Sequence, residues 1–150
     1  MSESMNPTRL FALVEDMRNQ SAEASWFEFK GNNSDPKKIA KTISAIANAA
    51  RLVDREMGFI IWGISDETHG IVGTKFDPAT QKISNQSFHM WLSQHLKPYP
   101  NLQFHTFEHP DGRLVLGEIP AATSVPVAFE GVPYIRLGSA TPPLNNQVEI

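Results

Sequence analysis

Six polar side chains raise the first chemical question. Lys37, Lys41, Ser44, Asn48, Arg51 and Arg55 follow one another at intervals of four, three, four, three and four residues. On an α-helix that spacing returns each member to one narrow arc. A line of cations and hydrogen-bond donors is what a phosphate backbone calls for, because charge neutralisation supplies much of nucleic-acid affinity. Lys38 adds a charge beside Lys37, and Lys30 lies just upstream. Between Lys30 and Arg55 six basic residues stand against two acidic ones, Asp35 and Asp54, a local +4 in a chain whose net charge is −3. Lys37 and Lys38 fall in the first turn, where the helix dipole disfavours cations by about 0.3–1 kcal/mol each. Kept there despite that cost, they form an anion site together with the free N–H groups of the helix start. The same pattern also describes the solvated face of an amphipathic helix, and spacing alone does not choose between the two.

Other chemistries find less support. The chain has no cysteine, which excludes disulfides, thiolate zinc sites and cysteine nucleophiles and fits a reducing compartment, so a cytoplasmic location is expected. The five histidines show no His-Glu-x-x-His spacing. His69 follows Asp66 by three residues and reads as a turn histidine. His89, His95, His105 and His109 read as helix or strand surface. No Gly-Lys-Ser/Thr occurs and no nucleophile elbow precedes a serine. No apolar run approaches the roughly 20 residues of a membrane span. Of the three tryptophans, Trp62 and Trp91 read as core. Trp26, expected to share a strand face with Glu28 and Lys30, is the one placed to stack a base.

The elements that must position these groups follow from periodicity. Asn6-Pro7 reads as a cap and first turn, and Leu10, Phe11, Leu13, Val14 and Met17 carry a helical stripe to about Asn19. Phe27 and Phe29 alternate with Glu28 and Lys30, a short strand. Asp35-Pro36 starts the clearest helix, with Ile39, Ile43, Ile46, Ala47 and Ala50 inward. Gly58 to Ile64 is a continuous apolar run, expected as a strand buried on both faces. Asp66 to Gly70 is a turn, and Ile71-Val72 starts a short return strand. A third helix is expected over about Thr80–Leu96, with Ile83, Phe88, Trp91, Leu92 and Leu96 inward. Asp111-Gly112 turns a hairpin between Leu102–Glu108 and Leu114–Ile119. Short strands near Val125–Phe129 and Tyr134–Leu137 complete one α+β domain with a mixed, mainly antiparallel sheet flanked by helices.

The blocks Glu28-Phe-Lys30, Ile43–Asn48, Gly58–Asp66 and Tyr134-Ile-Arg-Leu-Gly-Ser139, in that order, resemble the Schlafen-type AlbA_2 domain of bacterial transcriptional regulators and Schlafen proteins. The resemblance spans Ser21 to Thr141. It divides the chain into an N-terminal helix (1–20), the AlbA_2-like domain (21–141) and a linker (142–150) to a C-terminal region that the sequence does not contain. The family commonly places a Gly-Gly pair soon after the asparagine matching Asn48. Here Ala49 to Met57 intervenes, and a longer helix end or loop is expected. The resemblance also carries a second function, metal-dependent endoribonuclease activity, whose three acidic residues match Glu23, Glu28 and Asp66. Carboxylates converging from separate segments would hold Mg²⁺ or Mn²⁺, which can activate water and offset phosphate charge. Their alternatives are a surface glutamate, a strand ion pair and a turn aspartate. Arg136 matches a regular cation of the family, and its alternative is a structural salt bridge.

These readings order three functions. The first is a DNA-binding module, DNA in preference to RNA, whose phosphate contacts come from Lys30, Lys37, Lys38, Lys41, Asn48, Arg51, Arg55 and Arg136. It would act in a transcriptional regulator, as a monomer or a homodimer, away from membranes. The second is a Mg²⁺- or Mn²⁺-dependent endoribonuclease using Glu23, Glu28 and Asp66. The third is a scaffold or dimerisation domain.

Overall fold

The computed structural model describes residues 6–20, 24–137 and 140–144. Asn6 starts the fold by accepting the Arg9 N–H (2.9 Å) with its side chain, and Pro7 opens α1, Pro7–Arg18. There follow β1 (Phe27–Lys30), α2 (Pro36–Leu52), β2 (Met57–Trp62), β3 (Lys82–Ile83), β4 (Gln86–Ser87), α3 (Phe88–His95) and β5 (Leu96–Lys97). The last strands are β6 (Gln103–His109), β7 (Gly112–Pro120), β8 (Ala128–Phe129) and β9 (Val132–Pro133).

The main sheet has the order β1-β2-β7-β6, with β1 parallel to β2 and the other pairings antiparallel. Side chains alternate across it. Phe27, Phe29, Phe59, Ile61, Leu114 and Leu116 face one way, where Leu10, Val14 and Met17 of α1 cover them. Ile60, Trp62, Val115 and Ile119 face the other way, under α2 and α3. Two apolar layers therefore share one sheet, which explains why β2 is apolar at successive positions. Gly58 lets α2 come close: a Cβ there would stand 2.3 Å from the Ile46 side chain and 2.8 Å from the Trp26 carbonyl oxygen.

The segment from Thr80 to Leu96 departs from the expected long helix. Its first part is a two-residue hairpin, β3–β4, turning through Ser84 (φ 50°) and Asn85 (φ 68°). Two successive left-handed residues give the turn whose twist suits a tight hairpin, and they are incompatible with a helix. Ser87 then caps the shorter α3 by accepting the Met90 N–H. Phe88, Trp91, Leu92 and Leu96 are buried as expected, and Ile83 packs against the same core from the hairpin.

At the other end the chain stays on the body through Leu144, beyond the expected start of a linker at 142. Leu144 is buried against Ala49 and Ile135, and its N–H donates to the Pro133 carbonyl (2.7 Å). Tyr99, beside α3, has its phenol pushed up to about 12 by burial. Among the described residues no helix is long and apolar enough to cross a membrane.

Candidate nucleic-acid interface

The polar stripe of α2 is divided by the fold into two ends and a covered middle. Asp35 caps the helix, accepting the Lys37 N–H (3.0 Å), and Pro36 occupies the first turn. Lys37 and Lys38 project from that turn into solvent. Lys41, one turn on, is half-buried, with its ammonium 5.7 Å above the Tyr134 ring.

Asn48 corrects the expectation of a continuous phosphate-facing stripe. It is completely buried, and its amide clamps the segment from Val127 to Tyr134. Its Oδ1 accepts the Val127 N–H (2.8 Å), while Nδ2 donates to the Val127 carbonyl (3.0 Å) and the Tyr134 carbonyl (2.8 Å). Ser44 is buried beside it, donating to the Val127 carbonyl (2.7 Å) and accepting the Tyr134 N–H (3.0 Å). Backbone groups without strand partners there need side-chain partners once they leave water. Asn48 and Ser44 supply them, so neither faces a ligand.

Beyond the clamp, Arg51 is exposed in the last turn of α2. Arg55 lies past the helix end, with its guanidinium 3.5 Å over the Trp26 ring. Trp26 packs edge-on against Phe27 and Phe59, so one face carries the arginine and its edges serve the core. The extension from Ala49 to Met57 is helical to Leu52 and then turns through Asp54 (φ 58°). Lys37 and Arg51 thus stand about 21 Å apart along the axis, at 1.5 Å rise per residue.

A third group of predicted residues meets at the β1 edge. The Glu28 carboxylate accepts the Arg136 guanidinium and pairs with the Lys30 ammonium at 2.6 Å. The Arg136 side chain is fully buried, and those of Lys30 and Glu28 are 9% and 16% exposed. Arg136 is therefore a structural cation that ties the 134–137 segment to the sheet, and Lys30 shares its carboxylate. Both leave the set of cations open to a phosphate strand.

Asp66 is exposed in a turn where Ser65 Oγ accepts the Glu67 and Thr68 N–H groups. His69 anchors this turn, packing on Phe29 (4.9 Å) and lying 3.2 Å from the Arg18 carbonyl. Glu23 lies outside the described residues. Among the described residues no three His, Cys, Asp or Glu side chains gather to hold a metal. With its carboxylate already holding two cations, Glu28 does not offer Mg²⁺ or Mn²⁺ a ready ligand.

The sequence reading missed a cleft of about 280 Å³ beside the α2 start, lined by Asn32, Ser34, Lys75, Asp77, Thr80 and Gln81 over Phe76. Asn32 Oδ1 accepts both the Thr74 hydroxyl (2.8 Å) and the Lys75 N–H (2.7 Å), and Gln81 donates to the Ser34 carbonyl (2.8 Å). Arg113 stiffens the far wall by donating to the Thr74 and Phe76 carbonyls. Only the composition of Asn32-Asn33-Ser34 could have hinted at it. Its other wall lies some forty residues downstream.

The sequence profile of the family described as Schlafen, AlbA_2 matches residues 23–145. No curated protein matches the chain. Among solved structures, the DIP2311 protein from Corynebacterium diphtheriae superposes with a TM-score of 0.54 at 17% identity, covering 91% of this chain and 26% of that one. The N-terminal domain of a protein from Nitrosomonas europaea, described as related to the ATP-dependent DNA helicase RecG, superposes with a TM-score of 0.52. That pair shares 21% identity over 86% of this chain and 88% of the other. This chain therefore spans about a quarter of the corynebacterial protein and most of the nitrosomonad domain.

Proposed function

This chain belongs to the Schlafen AlbA_2 family, and from that premise we propose that it is a nucleic-acid-binding module, reading DNA in preference to RNA through phosphate contacts. Its place would be in a larger protein such as a transcriptional regulator. The observation that carries the reading is the start of α2, where Lys37 and Lys38 stand exposed on a capped first turn with Lys41 behind them. Three cations within two turns of a helix start form a site for anionic oxygens. Support also comes from the nitrosomonad neighbour, a domain of the same fold in a protein described by its relation to a DNA helicase. Arg51 and Arg55 lie too far along the helix to touch the same phosphates, and they would serve as a second, weaker contact.

The test is binding to a labelled DNA duplex at low salt. Lys37→Glu combined with Lys38→Glu is expected to weaken affinity at least tenfold, since each charge reversal removes a phosphate contact and adds repulsion. Arg51→Glu alone should weaken it less. Unchanged affinity in the double variant would remove the α2 start from the binding surface.

A further inference from the structure

The cleft beside α2 has the chemistry of a nucleotide pocket. Asn32 commits its Oδ1 to two donors, one of them the Lys75 backbone N–H, so the orientation of the amide is set and its NH₂ remains a donor. Across from it stand the Lys75 side chain, the Thr80 hydroxyl and the Asp77 carboxylate, with Gln81 held by the Ser34 carbonyl. Asp77 is restrained in turn, accepting the Ala79 N–H (3.0 Å) and lying 4.0 Å from the Arg113 guanidinium. The floor is Phe76, stacked on Trp62 with centroids 4.5 Å apart. Donors and acceptors on two loops, with the Asn32, Asp77 and Gln81 side chains held by hydrogen bonds, suit the edge of a base better than a bare phosphate, which would meet Asp77.

Size and position narrow the occupant. About 280 Å³ lies at the lower limit of small-ligand pockets, roughly 300–1,000 Å³. That is room for one nucleotide unit and not for a duplex. Ser34, on its wall, precedes the capping residue Asp35, which puts the cleft next to the helix start that carries Lys37 and Lys38.

We propose that this cleft captures one unpaired nucleotide of the strand that the α2 lysines hold. The protein thereby prefers single-stranded or locally opened nucleic acid to closed duplex. The base edge meets Asn32, Asp77 and Thr80, and the Lys75 ammonium meets the adjoining phosphate. Base edges become available to such a pocket only when unpaired. The inference rests on the reading of the α2 start as the phosphate contact.

The experiment compares a short fluorescein-labelled single strand of DNA with the corresponding duplex by anisotropy. The variants are Lys75→Ala, Thr80→Ala and the two combined. Both positions are exposed, and the loop bonds use the Lys75 and Thr80 backbone, so folding should be retained. The wild type should bind the single strand more tightly. The combined variant should lose at least about thirtyfold toward the single strand, the cost of one charged and one neutral hydrogen bond, and with it the preference. Equal wild-type affinity for strand and duplex overturns the nucleotide pocket and leaves the α2 contact standing. So does a preference that survives both substitutions. Failure of the wild type to bind either probe overturns the α2 contact, and the pocket falls with it.

Discussion

Glu28 holds two cations on one carboxylate, and that arrangement decides what its loss should do. Removing one partner from a buried ion pair costs about 3–5 kcal/mol, because the other charge stays out of water uncompensated. Glu28 is 16% exposed, while Arg136 is fully buried. Glu28→Gln is therefore expected to lower stability by about 3 kcal/mol in urea denaturation. Mg²⁺ or Mn²⁺ should leave the wild-type Tm unchanged, since a cation bound only to the folded state would raise it by mass action. A Mn²⁺-dependent rise in Tm that vanishes in Glu28→Gln, together with cleavage of structured RNA, would restore the acidic triad as a metal centre. Asn48 shows why side-chain identity alone misled. The amide that could face a phosphate also suits a loop without strand partners, and the loop that claims it lies some eighty residues downstream. Nothing in the spacing of the stripe encodes that contact.

At the scale of elements, the close approach of α2 to β2 depends on one missing methyl group. A Cβ on Gly58 would meet the Ile46 side chain and the Trp26 carbonyl, and the carbonyl is backbone that cannot swing aside. Overpacking of this kind costs about 1–3 kcal/mol. Gly58→Ala is expected at the upper end, with a fall in Tm measured by circular dichroism. Gly31→Ala, where nothing stands within 4 Å of the added atom, should be nearly neutral. Equal effects at the two sites would show that the helix does not rest on Gly58. Both α2 and β2 were legible because each announces itself locally, α2 by Asp35-Pro36 and a 3.6-residue apolar period, β2 by an unbroken apolar run. The β3–β4 hairpin was not. Ile83, Phe88, Trp91 and Leu92 reach the same core from a hairpin and a short helix as from one long helix, so their pattern could not exclude the long one. The signal against it was Asn85, a residue type that tolerates left-handed backbone.

For the molecule as a whole, the net charge of −3 means that nucleic acid is attracted only where the fold concentrates cations. The clamp at Asn48 and the ion pairs at Glu28 remove three of the eight predicted contacts, Asn48, Lys30 and Arg136, from the surface. The α2 start and Lys75 then offer about four contacts to one strand. Counterion release gives a slope of log affinity against log salt of about −0.7 per phosphate contacted for single strands. A slope of roughly −3 is therefore expected, with affinity near the micromolar level at physiological salt. Tight binding would need more contacts than this face supplies, or a second binding module raising the effective concentration. The corynebacterial neighbour, about four times the length of this fold, shows that such a domain occurs within longer chains. Titrations from low to moderate salt would measure the slope directly. A value steeper than about −6 would mean that Arg51, Arg55 and further cations touch the strand, and the surface drawn around the α2 start would be too small.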